Sequence, residues 1–134
     1  MAGQVMSLWT KRSFNFNGLT AGSTEAVVAV KTLDVSAYRE ATLTVRAHTR
    51  DIVNASSKIE IIAYMTAPTG EDPAVDFVSG TALTTATIAS GSTSVLSTAN
   101  LSTFGGYLRV VVLGTRVTSG NCSADLSADL VVKE

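Results

Sequence analysis

Apolar and polar residues alternate with a period of two along much of this chain. In residues 40–50, Ala41, Leu43, Val45 and Ala47 share one parity, and Thr42, Thr44, Arg46 and His48 share the other. Residues 122–133 repeat the pattern, with Cys122, Ala124, Leu126, Ala128, Leu130 and Val132 against Ser123, Asp125, Ser127, Asp129 and Lys133. Strand side chains point alternately to opposite faces, so each run predicts a strand with one dry face and one wet face. Residues 107–113 read differently. Tyr107 to Leu113 is almost continuously apolar and lies between Gly105-Gly106 and Gly114. This predicts a strand with both faces largely buried. With Gly120-Asn121 in a loop between them, residues 107–115 and 122–133 are expected to form the closing hairpin of an antiparallel sandwich.

The remaining segments are also strand-like. Residues 8–16 place Phe14 and Phe16 on the inward parity, which leaves Trp9 and Lys11 on the outward one. Residues 25–33 and 58–65 are further strands, Phe77, Leu83 and Ile88 mark short ones, and residues 95–101 suit an edge strand. Asn17-Gly18 and Ala21-Gly22-Ser23 are turn signals, and Pro68 and Pro73 make residues 67–76 a surface loop. Asp34 or Ser36 is placed to cap a single helical turn before Arg39. No amphipathic helix and no internal repeat is visible. The expected fold is all-β: a single antiparallel β-sandwich, jelly-roll-like, of about eight to nine short strands. Its core is expected to come mostly from 40–50, 58–65, 107–115 and 122–133. Residues 1–134 are read as one domain, with 1–12 as an N-terminal arm.

Composition narrows the function classes. Charged residues make up 16% of the 134, below the usual ~25%, and Ser and Thr fill about a quarter. A net charge of −1 offers no basic groove for nucleic acid and no polybasic membrane patch. A mean hydropathy of +0.30 leaves much neutral surface, as suits a chain that packs against neighbours. Neither a transmembrane helix nor a signal-peptide core is visible. One cysteine, Cys122, excludes an internal disulfide, and its inward parity makes it a small buried hydrophobe rather than a reactive thiol.

Candidate chemistry is sparse. His48 is the one histidine and falls on the outward parity of a Thr/Arg strand, so a solvated histidine is expected rather than a Ser-His-Asp relay. With Cys122 as the other candidate ligand, a zinc site is excluded. Glu71, Asp72 and Asp76 cluster in the proline loop without EF-hand spacing, and a solvated acidic loop is expected there. Asp125 and Asp129 alternate with serines on a wet face and read as solubility rather than as a glycosidase pair. Three Asn-X-Ser triplets, at Asn54, Asn100 and Asn121, are expected by accident in a chain so rich in serine. No catalytic residue, metal or cofactor is assigned.

Three stretches carry a family resemblance: residues 33–45, opening into an alternating strand; residues 59–88, where Asp76-Phe77 precedes a Thr/Ala/Ile strand; and Phe104-Gly-Gly-Tyr-Leu-Arg-Val110 with the final Ser-Ala-Asp-Leu-Ser-Ala-Asp-Leu-Val-Val strand. Residues 33–133 resemble small β-sandwich structural proteins of tailed bacteriophages and prophage-like particles. No functional residue carries over, because the shared pattern consists of strands and turns. The resemblance implies a non-enzymatic virion component, a capsid decoration (cement) or other minor protein, made in the bacterial cytoplasm and built into the particle. Its partners would be copies of itself, as a homo-oligomer, and a major capsid protein, with no nucleic acid and no membrane. The candidate interface is Trp9, Lys11 and Arg12, since an outward tryptophan near a terminus suits the centre of a contact; the alternative is that the arm folds back and Trp9 covers one open end of its own sandwich. A carbohydrate-binding module is the alternative, with Trp9, Tyr38, Tyr64 and Tyr107 available as stacking platforms.

Overall fold

In the computed structural model, which describes residues 4–35, 37–54, 56–66, 84–89, 95–101 and 107–133, the regular elements are β-strands throughout. They are β1 (Gln4–Asn15), β2 (Ser23–Asp34), β3 (Glu40–Ile52), β4 (Lys58–Thr66), β5 (Thr84–Ala89), β6 (Val95–Leu101), β7 (Tyr107–Arg116) and β8 (Cys122–Lys133). Two four-stranded antiparallel sheets result, sheet A in the order β1-β8-β3-β6 and sheet B in the order β2-β7-β4-β5. That order is the eight-stranded jelly roll expected from the sequence. The expected strands at Phe77 and Leu83, the proline loop and the Gly105-Gly106 turn lie outside the described residues.

The inward parities read from the sequence hold in the strands that build the core. Ala41, Leu43, Val45 and Ala47 of β3 are buried, as are Cys122, Ala124, Leu126, Ala128, Leu130 and Val132 of β8. They share one hydrophobic core with Ile59, Ile61 and Ala63 of β4, Ile88 of β5 and Leu108, Val110 and Val112 of β7.

The expected closing hairpin is not formed. β7 and β8 lie in different sheets: β7 runs between β2 and β4, and β8 runs between β1 and β3. A short loop between two strands suggests a hairpin only when one of them has a free edge for the other. Here both are central strands with both edges taken, so the 117–121 connection arches across the core instead of turning within a sheet. Among the described strands, only β4 and β5 are neighbours both in sequence and in a sheet.

The arching end is tied by polar groups. Arg116 donates from Nε to the Gly120 carbonyl and from its two Nη atoms to Leu19 and Ser119. The Asn17 side-chain oxygen accepts from the Cys122 N–H at 2.6 Å, and Asn121 donates to Asp51 at 2.7 Å. Ser57, the buried polar side chain of this end, accepts from the Val117 N–H at 2.9 Å. The loops 16–22, 53–57 and 117–121 are thereby joined. Phe16 plugs the same end over Gly114, where any Cβ would overlap its ring. At the opposite end, the Tyr38 N–H donates to the Val35 carbonyl at 3.1 Å, and the expected cap at Ser36 lies outside the described residues.

The register of β8 is testable in stability. Leu126→Ala, at a fully buried position, is expected to lose about 2–5 kcal/mol. Ser127→Ala, on the other face, is expected to change stability by less than about 0.5 kcal/mol. Urea unfolding of both variants checks this, and equal small effects would contradict the register.

Candidate interaction surfaces

The segment expected to be a free arm is, from Gln4 onward, the edge strand β1, paired along β8 from Gln4↔Val132 to Asn15↔Ser123. Its ladder shifts register between Ser7 and Trp9 and again between Trp9 and Arg12. Each shift inserts an extra residue, so parity counted from Phe14 no longer holds at Trp9. Trp9 therefore does not point away from the sandwich. It sits opposite Ala128, an inward residue, and packs partly buried against the core. Its indole N–H donates to the Leu126 carbonyl at 3.0 Å, and its ring meets Phe14 edge-on at 5.9 Å. Arg12 lies over the Phe14 ring at 4.9 Å, and both Lys11 and Arg12 are exposed. Of the three candidate interface residues, Trp9 is committed to its own fold and the two cations face solvent.

The outer face of sheet A is polar along its central rows, with Val5 and Val131 as an apolar pair toward one end. On this face, His48 is exposed as expected, at a register shift of β3 between Ala47 and Thr49. The sequence did not reveal its partner: His48 Nε2 lies 2.9 Å from Ser127 Oγ. Ser127 pairs with Arg46 of β3 and falls at the register shift of the β1–β8 ladder between Trp9 and Arg12. The depression over Ala47, His48, Thr49 and Arg50 holds about 130 Å³, short of the roughly 300 Å³ at which small-molecule pockets begin. Two residues away, Asp125 accepts from Ser13 of β1, and Thr49 of β3 also hydrogen-bonds its carboxylate. These bonds, with Lys11 and His48 nearby, hold the Asp125 carboxyl below the ordinary carboxylate range. One carboxylate thus links β1, β8 and β3.

The outer face of sheet B has a different chemistry. Pairing aligns Val28, Val111, Ile62 and Thr85 in one row and Ala26, Leu113, Glu60 and Thr87 in the next. Val28 is 48% exposed, while Val111, Leu113 and Ile62 are half-buried. The continuous apolar run of β7 was expected to be covered on both sides. Its inner residues are, but no second layer lies over the outer ones among the described residues. With no helix among the described residues to cover it, an uninterrupted apolar strand was the signal for this surface.

Cys122 is buried as expected, and burial pushes its thiol up against the pull of Arg116. The Glu71, Asp72 and Asp76 loop lies outside the described residues. Among those described, no three His, Cys, Asp or Glu side chains gather as metal ligands do. The four aromatics considered as sugar platforms do not share one surface. Trp9 packs on β1, Tyr38 donates to Gln4 at 3.2 Å, and Tyr64 and Tyr107 belong to sheet B.

Two expectations follow. Trp9→Ala should lose about 1–3 kcal/mol, and Trp9→Phe, which keeps a ring but removes the donor to Leu126, about 1 kcal/mol; urea unfolding measures both. For Asp125, a lowered folded pKa means that the stabilisation is full above the unfolded pKa, about pH 4, and is lost as pH falls through the folded value. The gap in denaturation midpoint between the wild type and Asp125→Asn should therefore be constant near neutrality and shrink below about pH 4. Ser13→Ala should shift the Asp125 titration, followed by carboxyl NMR, upward.

No protein-family model matches the sequence, and no curated protein matches it. Among solved structures, a chain in the structure of infectious bursal disease virus, Gx strain, is similar in fold, with a TM-score of 0.54 at 12% identity. The match covers 97% of this chain and 31% of that one, so this chain spans about a third of its structural neighbour's length. At that identity the likeness is one of fold: an all-β sandwich with a neighbour in a virus.

Proposed function

We propose that this chain is a non-enzymatic structural protein of a phage or phage-like particle, a capsid decoration or other minor virion component that acts through protein–protein contacts. The observation that carries the reading is the jelly-roll strand order, together with its match over 97% of the chain to a protein in a virus structure. The low charge and the apolar outer face of sheet B support it, since both favour packing against neighbours over a soluble solitary life. In this reading the protein is made in the bacterial cytoplasm and resides in the virion, bound to copies of itself and to a major capsid protein.

The β1 edge is the contact proposed toward the capsid lattice. Lys11 and Arg12 present two cations there, on a strand that Trp9 fastens to the core. Trp9 contributes by holding the edge in place rather than by inserting into a partner.

Density-gradient fractionation of particles from the producing cells tests the reading. The protein is expected to band with the particles, and Lys11→Glu with Arg12→Glu to shift it toward the soluble fractions. A wild-type chain that stays wholly at the top of the gradient would contradict a virion role.

A further inference from the structure

The two outer faces of this sandwich differ in a way that specifies an occupant for one of them. Sheet A turns Thr44, Arg46, Ser127 and Asp129 outward, while the corresponding central rows of sheet B turn out Val28, Val111, Ile62 and Leu113. Lateral growth is blocked on the long edge strands β1 and β2, since each ladder carries two register shifts and bulged edges do not template a further strand. Side chains on the β1 edge can still meet a capsid protein, but strand addition there is disfavoured, which favours the face of sheet B for self-association.

Charge placement on that face is self-complementary. On one side of the Val28–Val111–Ile62 row lies Glu60, beside Leu113 and within 3.5 Å of Lys58. On the other side lies Arg109, opposite Tyr64, with its Nε donating to the Lys31 carbonyl at 2.8 Å. Rotating the sheet by a half-turn about the row reverses the strand direction and returns each strand over its own counterpart. Glu60 of one copy then lies over Tyr64 of the other, offset laterally by about one strand spacing, ~4.8 Å, from its Arg109, and the two long side chains reach toward each other across the ~10 Å between facing sheets. Symmetry repeats the pair on the far side of the row, as in any isologous contact. The area also suffices. Four strands at ~4.8 Å by some nine residues at ~3.4 Å give about 600 Å² per copy, or about 1,200 Å² in total, within the range of specific interfaces. A net charge of −1 per copy adds almost no repulsion.

We propose that the outer face of sheet B is the seat of a second copy of this chain, the two copies packing face to face about a two-fold axis along the Val28–Val111–Ile62 row. The proposal names a partner within the assembly reading above and rests on it for the expectation of self-association.

Sedimentation equilibrium of the full chain tests it, with circular dichroism to confirm that each variant is folded. The wild type is expected to be a dimer at high micromolar concentration. Val28→Asp, on an exposed edge position, should abolish the dimer, and Thr44→Asp on sheet A should leave it intact. Glu60→Arg and Arg109→Glu should each weaken it about tenfold or more, and the two together should restore it. A monomeric wild type, a dimer that Val28→Asp leaves unchanged, or one that Thr44→Asp breaks would overturn the proposal. So would single charge reversals that the double variant does not rescue. The result separates from the virion reading: a monomer that still bands with particles removes only the dimer, and a dimer absent from particles removes only the virion role.

Discussion

β8 is paired along both of its edges, and the rest of sheet A depends on that. It is the last strand in the chain, yet it lies between β1, the first, and β3. Its alternation is strict enough to serve both sheets' core: Leu126 and Leu130 fill the interior between the smaller Ala124 and Ala128, while Asp125 and Ser127 reach across the outer face to Ser13, Thr49 and His48. A slip of one residue would exchange these sets and bury carboxylates. The register is therefore fixed by burial on one side and by hydrogen bonds on the other. Because β1 pairs with β8 across more than a hundred residues of sequence, sheet A needs the kind of long-range pairing that slows folding.

From this arrangement the surfaces follow. β1 is held to β8 through a broken ladder, with Trp9 supplying a hydrogen bond to Leu126 at a register shift and with Arg12 stacked on Phe14. The irregularities that fit a bulky tryptophan against the core also roughen the edge of sheet A. The same is true of β2 on sheet B. A sandwich with roughened edges, a mostly polar outer face on sheet A and an apolar row across sheet B has a preferred direction of association.

Much of this was legible in the sequence, because a period of two is a direct image of a strand with one buried face. The inward sets of β3 and β8, the burial of Phe14, Phe16 and Cys122, and the exposure of His48 were all read from parity. What parity does not carry is partnership. That β7 and β8 lie in opposite sheets follows from each having two other partners, a property of the whole chain rather than of the short loop between them. Trp9 was misread for a related reason: counting by twos assumes an unbroken ladder, and the shifts in β1 exist only relative to β8. The apolar stripe Val111–Leu113 was seen, but as a doubly buried strand. Among the described residues the fold is two layers of strands with nothing over its outer side, and that stripe is better read as a surface.

Strand order is the claim on which the account stands, and backbone NOEs measure it directly. The arrangement described here requires cross-strand NOEs from β8 to both neighbours, among them Phe14 to Ala124 and Leu43 to Leu130, and from β7 to β4 between Val110 and Ala63. It also requires that no cross-strand ladder connect β7 to β8. A hairpin pattern of NOEs running from Arg116–Cys122 down the two strands would contradict it.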